Sequence, residues 1–313
     1  MVLGAAIAGL MVCGHFQVSY AGQIDHNVFE NGHKTTFHYR WKDWAQREHA
    51  MEFSLLSNDV QRGMQEFINF DNTTMQNWII EQLQNYAEQN YTYGNRRVTV
   101  QRANGGYELV IQGYPEHQAE RVQVNLAKRQ NEFMEQYLAQ HFYTRVNETT
   151  LMPDHKAIAK RYVLAMSPVA NAIRRNTRGM SQRQVVNYTL NFLQAIPYDE
   201  LTNRYTSNGA GFQTPYGLLT TNIGDCDTKS VALAAILRNL YPSMRLMMLY
   251  VPNHAFVGLQ MPQGGDDYAL RLGGDVFVVA DPAGPGMAPL GQTANDAINR
   301  LLGGEYSYQE IPF

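Results

Sequence analysis

The stretch that decides the fold runs from Pro215 to Leu237 and reads PYGLLTTNIGDCDTKSVALAAIL. From Thr228 to Leu240, small and aliphatic residues recur at helical spacing, which predicts a closely packed helix. The segment Gly224-Asp225-Cys226-Asp227 places Cys226 where an irregular loop enters this helix. Helix N-termini stabilise negative charge through their N–H groups and dipole, so Cys226 is a candidate thiolate nucleophile.

Downstream of this helix the pattern changes to short strands. Three apolar runs predict strands at residues 245–251, 254–261 and 275–280, and a shorter run predicts another at 267–272. The links between them are short and rich in turn residues, which favours antiparallel pairing. We therefore expect a Cys-bearing helix followed by an antiparallel sheet.

A cysteine nucleophile needs a base, and the base needs a group that orients it. His254 is the only histidine in the second half of the chain and begins a predicted strand. Asp281 follows the apolar run VFVVA and lies at a strand end. Considered alone, each residue has a non-catalytic interpretation. The thiol could be a buried structural cysteine, the histidine an ordinary surface or core residue, and the aspartate before Pro282 a turn former. Together they predict a Cys-His-Asp site.

These motifs resemble the core of bacterial transglutaminase-like proteins. The resemblance is carried by Pro215–Leu237, by Asn253-His254-Ala255-Phe256 and by Ala280-Asp281-Pro282, with a similar lead-in helix at Gln194–Tyr198. It covers about residues 180–285. It implies an α+β, papain-like or transglutaminase-like core, in which the Cys-bearing helix packs on an antiparallel sheet.

The resemblance also implies roles for individual residues. Cys226 is the expected nucleophile, His254 the general base and then acid, and Asp281 the group that orients the histidine. The backbone N–H of Cys226 is expected to donate to the oxyanion. Animal-type enzymes often use a tryptophan as a further donor, but all three tryptophans here precede the domain. Gln213 or Tyr216 is the candidate substitute for that donor or for substrate binding.

The function expected from this site is hydrolysis of a peptide or amide bond in a protein or peptide substrate, through an acyl-enzyme on Cys226. A transglutaminase that passes the acyl group to an amine is one alternative. A non-catalytic transglutaminase-like module that binds a cell-envelope partner is the other. A zinc hydrolase is excluded, since the chain has no H-E-x-x-H or paired-cysteine motif.

No cofactor and no metal site are expected. Calcium is the open alternative, because Asp199, Glu200, Asp225 and Asp227 could supply oxygen ligands, although the EF-hand spacing is absent. Two acidic neighbours would raise the pKa of a thiol. We expect Asp227 to cap the helix and face away from Cys226.

The sequence before the motif predicts a mostly helical accessory region at residues 22–175, followed by a catalytic domain at 176–313. Apolar residues recur at helical spacing in residues 40–92. A β-hairpin around Asn104-Gly105-Gly106 is predicted at residues 96–113, and further helices are predicted at 118–147 and 153–168. Asp154 beside His155 is interpreted as a helix cap rather than an acid-base pair. Ser181 with Gln184 forms a capping box for a helix closed by Pro197, and an irregular stretch from Tyr198 to Gly224 follows.

Composition limits the classes of function. The 313 residues are 44% hydrophobic with a formal net charge of −3. These values indicate a globular protein and give no electrostatic reason to expect nucleic acid as a partner. Met1–Val12 is apolar but too short to span a bilayer, and Ser19-Tyr20-Ala21 suits signal cleavage after Ala21. Residues 1–21 are therefore a predicted signal peptide, and the mature chain is expected to be periplasmic or secreted, without a membrane span. Cytoplasmic location is the alternative. Cleavage would remove Cys13 and leave Cys226 as the mature chain's one thiol.

Overall fold

The structure is a computed structural model that describes residues 22–103, 105–203 and 211–311. These residues form a mixed α+β protein with antiparallel sheets. The helices are α1 (Ser57–Gln65), α2 (Asn72–Tyr91), α3 (Glu116–Gln140), α4 (His155–Tyr162), α5 (Ser167–Asn176), α6 (Gln182–Ala195), α7 (Pro215–Thr221), α8 (Cys226–Leu240) and α9 (Asn295–Leu302). The strands are β1 (Gln23–Asn31), β2 (Lys34–Lys42), β3 (Glu48–Leu56), β4 (Arg97–Ala103), β5 (Gly106–Gln112), β6 (Tyr143–Arg145), β7 (Leu151–Pro153), β8 (Leu246–Val251), β9 (His254–Gln260), β10 (Ala269–Leu272), β11 (Asp275–Ala280) and β12 (Ser307–Glu310).

The described residues divide into two compact units. One is continuous and spans Asn69–Asp154, whereas the other combines residues 22–68 with residues 155–311. Strands β1 to β3 therefore belong to the same unit as Cys226, although they lie far from it in sequence. The division into an accessory and a catalytic region near residue 175 concerns function and stays a prediction.

Within the Asn69–Asp154 unit, the predicted hairpin is confirmed as β4 and β5. The two strands pair antiparallel, with Ala103 opposite Gly106. Gly105 in the turn has a φ of 78°, a left-handed conformation that glycine adopts without a Cβ clash. Asn104, the other residue of the predicted turn, lies outside the described residues. The long helix predicted at 118–147 is confirmed as α3, which ends earlier, at Gln140.

The helical prediction for residues 40–92 is confirmed for α1 and α2 but is wrong up to Leu56, where β2 and β3 lie. Apolar residues four apart fit both a helix face and a strand face, and the strand period of two applies here. In β3, the alternate residues Met51, Phe53 and Leu55 are buried. This sheet, ordered β1-β2-β3, packs on α6 through Tyr39, whose ring centroid lies 5.0 Å from that of Phe192.

The helix predicted from Pro153 to about Pro168 is two helices. The first, α4, ends at Tyr162, and α5 begins at Ser167 with Pro168 in its first turn. A proline fits the first turn of a helix because the N–H it lacks has no partner within the helix there. Pro168 therefore starts a helix, where the sequence analysis expected it to end one.

The capping box of α6 is confirmed. The Ser181 hydroxyl accepts from Gln184 N, and the Gln184 side chain accepts from Ser181 N at 2.8 Å. The helix ends at Ala195, two residues before Pro197. Both ends of this helix are therefore set by local sequence signals.

Replacing the cap residue tests this signal. We expect Ser181→Ala to lower the free energy of unfolding by about 1 kcal/mol, because backbone N–H groups at the helix start lose their acceptor. Urea denaturation measures this effect. Gln182→Ala, at an exposed position of the same turn, is the control, and equal stability of the two variants would contradict the assignment.

The strands after α8 form a five-stranded antiparallel sheet ordered β10-β11-β9-β8-β12. The four predicted strands are confirmed, whereas β12 and α9 were not anticipated. One face of the sheet packs with α9 in an apolar cluster. The buried members of this cluster include Met247, Leu249, Phe256, Phe277 and Leu301. The turn between β8 and β9 contains Asn253 with a φ of 63°, which places His254 at the first position of β9.

The described part of the irregular stretch from Tyr198 to Gly224 contains a helix, α7, that was not predicted from the sequence. Thr214 caps α7 by accepting from Gly217 N at 3.2 Å, and Pro215 lies in the first turn. Asn222, with a φ of 55°, ends the helix in the left-handed conformation. The segment therefore holds a defined turn and helix immediately before Cys226.

Candidate active site

Cys226 is the first residue of α8. Asp225 is the N-cap, and its Oδ1 accepts from Thr228 N at 3.0 Å. The Cys226 residue is a reduced cysteine and only 2% exposed. The sequence prediction that Cys226 lies at a helix start is thus confirmed, and the site around it is a buried one.

A side-chain hydrogen bond joins helix α8 to the start of β9. Ser230, one helical turn after Cys226 and on the same face, donates to the carbonyl of Ala255 at 3.3 Å. Ala255 is the neighbour of His254 in β9. This contact brings the strand position that carries His254 to the first turns of the Cys-bearing helix.

His254 and Asp281 are in direct contact. His254 Nε2 lies 2.7 Å from Asp281 Oδ2, and the two side chains are 18% and 11% exposed. A carboxylate accepts, so Nε2 carries the proton and Nδ1 is the ring atom that can take another. The structure therefore brings together the two residues predicted as base and orienter.

Several donors hold Asp281 as a carboxylate. Burial raises the pKa of Asp281, but the charge of His254 and hydrogen bonds from His254, Thr293 Oγ1 and Ala283 N outweigh it and leave the pKa below its usual value. The Ala283 N–H donates to Oδ1 at 2.9 Å, while His254 and Thr293 bond to Oδ2. Both oxygens are thus fixed, which sets the orientation of the carboxylate.

The loop that follows Asp281 is tied to α6. Gln194, 1% exposed, donates to the carbonyls of Asp281 at 2.7 Å and Ala288 at 2.9 Å. Gly284 has a φ of 68°, and a Cβ at this position would lie 2.7 Å from the Gln194 carbonyl oxygen. The loop therefore needs glycine here and approaches the α6 backbone closely.

Lys229 is the charged residue that lies deepest in this part of the molecule. It is 0% exposed, and its Nζ donates to the carbonyls of Ile196 at 2.6 Å and Ala283 at 2.5 Å. Burial lowers the pKa of Lys229 to about 7, while the charges of Asp225, Asp281 and Cys226 act to raise it. Lys229 is not among the site residues predicted from the sequence, although a lysine within an otherwise small and aliphatic stretch is a signal for a buried cation.

The two aspartates beside Cys226 differ in their environments. Burial and the negative charge of Asp227 raise the pKa of Asp225 well above its usual value. Burial also raises the pKa of Asp227, but hydrogen bonds from Asp225 and His155, with the charge of His155, leave it lowered. Asp225 therefore keeps its proton to higher pH, and Asp227 carries the negative charge.

His155 is a site neighbour that sequence reasoning missed. It is 2% exposed, its Nε2 donates to Asp227 Oδ2 at 2.9 Å, and the Tyr250 hydroxyl lies 2.9 Å from its Nδ1. The N-cap of α8 is Asp225, whereas Asp227, which was expected to cap the helix, accepts from Thr228 N at 3.1 Å and from His155. Aspartate and histidine lie 72 residues apart, and the only sequence signal is a histidine within the apolar pattern of a helix start.

The two candidate oxyanion donors have other contacts. Gln213 Nε2 donates to Thr221 Oγ1 at 3.0 Å and to the Ile223 carbonyl. A bond to an oxyanion would have to replace one of these, so its predicted role stays a prediction. The Gln213 side chain stabilises the turn from α7 towards Asp225.

Tyr216 packs away from the described contacts of His254 and Asp281. Its ring lies 5.2 Å from that of Tyr162, centroid to centroid, and faces Gly63 of α1. It lines a cavity of about 590 Å³ whose walls include Asp59 and Arg161. Cys226, His254 and Asp281 do not line this cavity, and the predicted role of Tyr216 in the site stays a prediction.

Two further searches concern metal and membrane. Within the described ranges, no three His, Cys, Asp or Glu side chains come together in a way that could hold a metal ion. Of the predicted calcium ligands, Asp199 accepts from Leu201 N at 2.7 Å. Across the same ranges, no helix combines the length and the apolarity needed to cross a bilayer. The predicted signal peptide lies outside the described residues.

The site thus consists of a cysteine at a helix start, a His–Asp pair at the rim of a sheet, and a buried lysine between them and α6. Scans against protein-family models, curated proteins and solved structures found no match to this chain.

Proposed function

We propose that this chain is a cysteine hydrolase with a transglutaminase-like, papain-like core, which cleaves a peptide or amide bond through an acyl-enzyme on Cys226. The observation that carries the proposal is the 2.7 Å contact between His254 Nε2 and Asp281 Oδ2, on the strand that Ser230 ties to the Cys-bearing helix. A histidine oriented in this way is the arrangement that cysteine and serine hydrolases use to activate a nucleophile.

The chemistry follows from these positions. The Cys226 thiol gives its proton to His254 Nδ1, and the thiolate forms a C–S bond to the substrate carbonyl carbon. His254 then gives that proton to the leaving amine as the C–N bond breaks. Water attacks the thioester, with His254 as base, and the released thiolate is reprotonated. We propose the backbone N–H of Cys226 as one oxyanion donor.

Location and substrate are part of the proposal. An N-terminal apolar run with a cleavage site after Ala21 supports export to the periplasm or beyond, and a protein or peptide is the proposed substrate. Transfer to an amine in place of water would need the same acyl-enzyme, so a transglutaminase stays an alternative.

One observation favours the non-catalytic alternative, a binding module. Cys226 is only 2% exposed, and a buried thiol in an apolar setting is inert. The reactivity of Cys226 therefore decides between the cysteine hydrolase and the binding module.

The test is alkylation with iodoacetamide, followed by mass spectrometry of the peptide that contains residue 226. We expect Cys226 of the native full chain to be labelled rapidly below pH 8, because only a thiolate reacts and an ordinary thiol is mostly protonated there. Free N-acetylcysteine in the same solution is the reference for an ordinary thiol. Labelling of Cys226 only after denaturation would make it a structural thiol and favour the binding module.

A further inference from the structure

Lys229 occupies a position where a lysine is costly. Transferring an ammonium group from water to a protein interior is strongly unfavourable, and an apolar side chain of the same length would avoid that cost. Lys229 is nevertheless 0% exposed. The hydrogen bonds of Nζ and the nearby charges of Asp225, Asp281 and Cys226 offset part of this cost, and the hydrogen bonds indicate its role.

Both acceptors of Lys229 are backbone carbonyls at the ends of site elements. Ile196 is the C-cap residue of α6, and Ala283 lies two residues after Asp281. Helix α8, which carries Cys226, is thereby joined through one side chain to both α6 and the Asp281 loop.

A continuous series of hydrogen bonds links Lys229 to His254. Lys229 Nζ donates to the Ala283 carbonyl, the Ala283 N–H donates to Asp281 Oδ1, and Asp281 Oδ2 accepts from His254 Nε2. Ala283 is 3% exposed, so water does not readily replace the ammonium group at its carbonyl. Fixing this residue at its carbonyl also restricts the direction of its N–H.

We propose that Lys229 is a positioning residue for the His254–Asp281 pair, which it serves by fixing the Asp281–Ala283 turn so that the carboxylate faces His254 Nε2. Its consequence for catalysis rests on the proposed function, whereas the positioning itself does not. When protonated, the Lys229 ammonium group lies one helical turn from Cys226 and favours the ionised forms of Cys226 and Asp281.

The experiment compares Lys229→Met, Asp281→Asn and the double variant in the full chain, with two measurements. The first is proton NMR of the His254 ring N–H, which is shifted downfield when it donates to a carboxylate. The second is the rate of Cys226 alkylation as a function of pH. Asn187→Ala is the matched control, because Asn187 Oδ1 accepts from Leu290 N at the far end of the same loop.

We expect Lys229→Met to lose the downfield resonance, as Asp281→Asn does, and Asn187→Ala to keep it. Asp281→Asn should slow alkylation at pH 7 by about 100-fold, and the double variant should be no more than about 2-fold slower than that, because residues that act as a unit are not additive. Rates that multiply in the double variant, or a wild-type resonance in Lys229→Met, would overturn the proposal.

The experiment distinguishes failure of the positioning role of Lys229 from failure of the proposed hydrolase function. If wild-type Cys226 does not react, the proposed function fails, and the NMR resonance alone still decides the positioning role. Should Lys229→Met not fold, Lys229→Leu takes its place, since it likewise removes the charge and both donated hydrogen bonds. Thermal denaturation of each variant identifies a general loss of structure, which Asn187→Ala is expected to share without the change in resonance.

Discussion

In the His254→Gln variant, alkylation of Cys226 by iodoacetamide at pH 6 is expected to be about 100-fold slower or more. An ordinary thiol, with a pKa near 8.5, is only roughly 0.3% thiolate at this pH, whereas a thiol beside an imidazolium is largely ionised. Glutamine keeps a polar side chain of similar size but cannot hold a charge. The rate is measured by quenching at timed intervals and quantifying the labelled peptide.

The control for this prediction is His33→Gln, which changes an exposed histidine of the same compact unit. It should react at the wild-type rate. As the pH is raised above about 9, the His254→Gln and wild-type rates should converge, because any thiol then ionises without help. A constant ratio between the two rates from pH 6 to pH 10 would show that histidine controls access to Cys226 and not its ionisation.

The second large effect concerns stability and comes from His155. We expect His155→Leu to lower the free energy of unfolding by about 3–5 kcal/mol, because it leaves the buried Asp227 carboxylate without the imidazole N–H that donates to it. The charge left behind is that of Asp227, whose side chain is 11% exposed. Urea denaturation at pH 7 provides the measurement.

The double variant His155→Leu/Asp227→Asn distinguishes the contribution of the contact between residues 155 and 227 from that of the packing of the His155 side chain. Removing the charge on residue 227 should recover part of the loss, so the double variant should be more stable than the sum of the single effects predicts. Additive losses would mean that His155 contributes by filling space, and that the 2.9 Å contact with Asp227 adds little.

The parts of the fold that could be predicted depend on neighbours in sequence. The capping box needs only Ser181 and Gln184, and the hairpin of β4 and β5 needs only alternation and turn glycines. The strands after α8 follow from short apolar runs. Cys226 at a helix start is likewise a local pattern, and so is a histidine that begins a strand.

The strands and contacts that could not be predicted depend either on residues far apart in sequence or on an apolar spacing that fits both a helix and a strand. Residues 40–56 fit a helix as well as a strand until β2 and β3 pair with each other. Lys229 and Ala283 are 54 residues apart, and nothing near either residue specifies the other. Such contacts arise when whole elements pack, and a single sequence does not reveal them.

The division of the chain into units has a practical meaning for anyone who wishes to produce the cysteine-bearing part alone. A fragment that starts at residue 176 would lack β2, and the ring of Phe192 would lose its contacts with Tyr39 and Trp41. Such a fragment would expose a large apolar face and tend to aggregate. Removal of residues 69–154 and joining of the two flanking segments is the shortening that leaves this face covered.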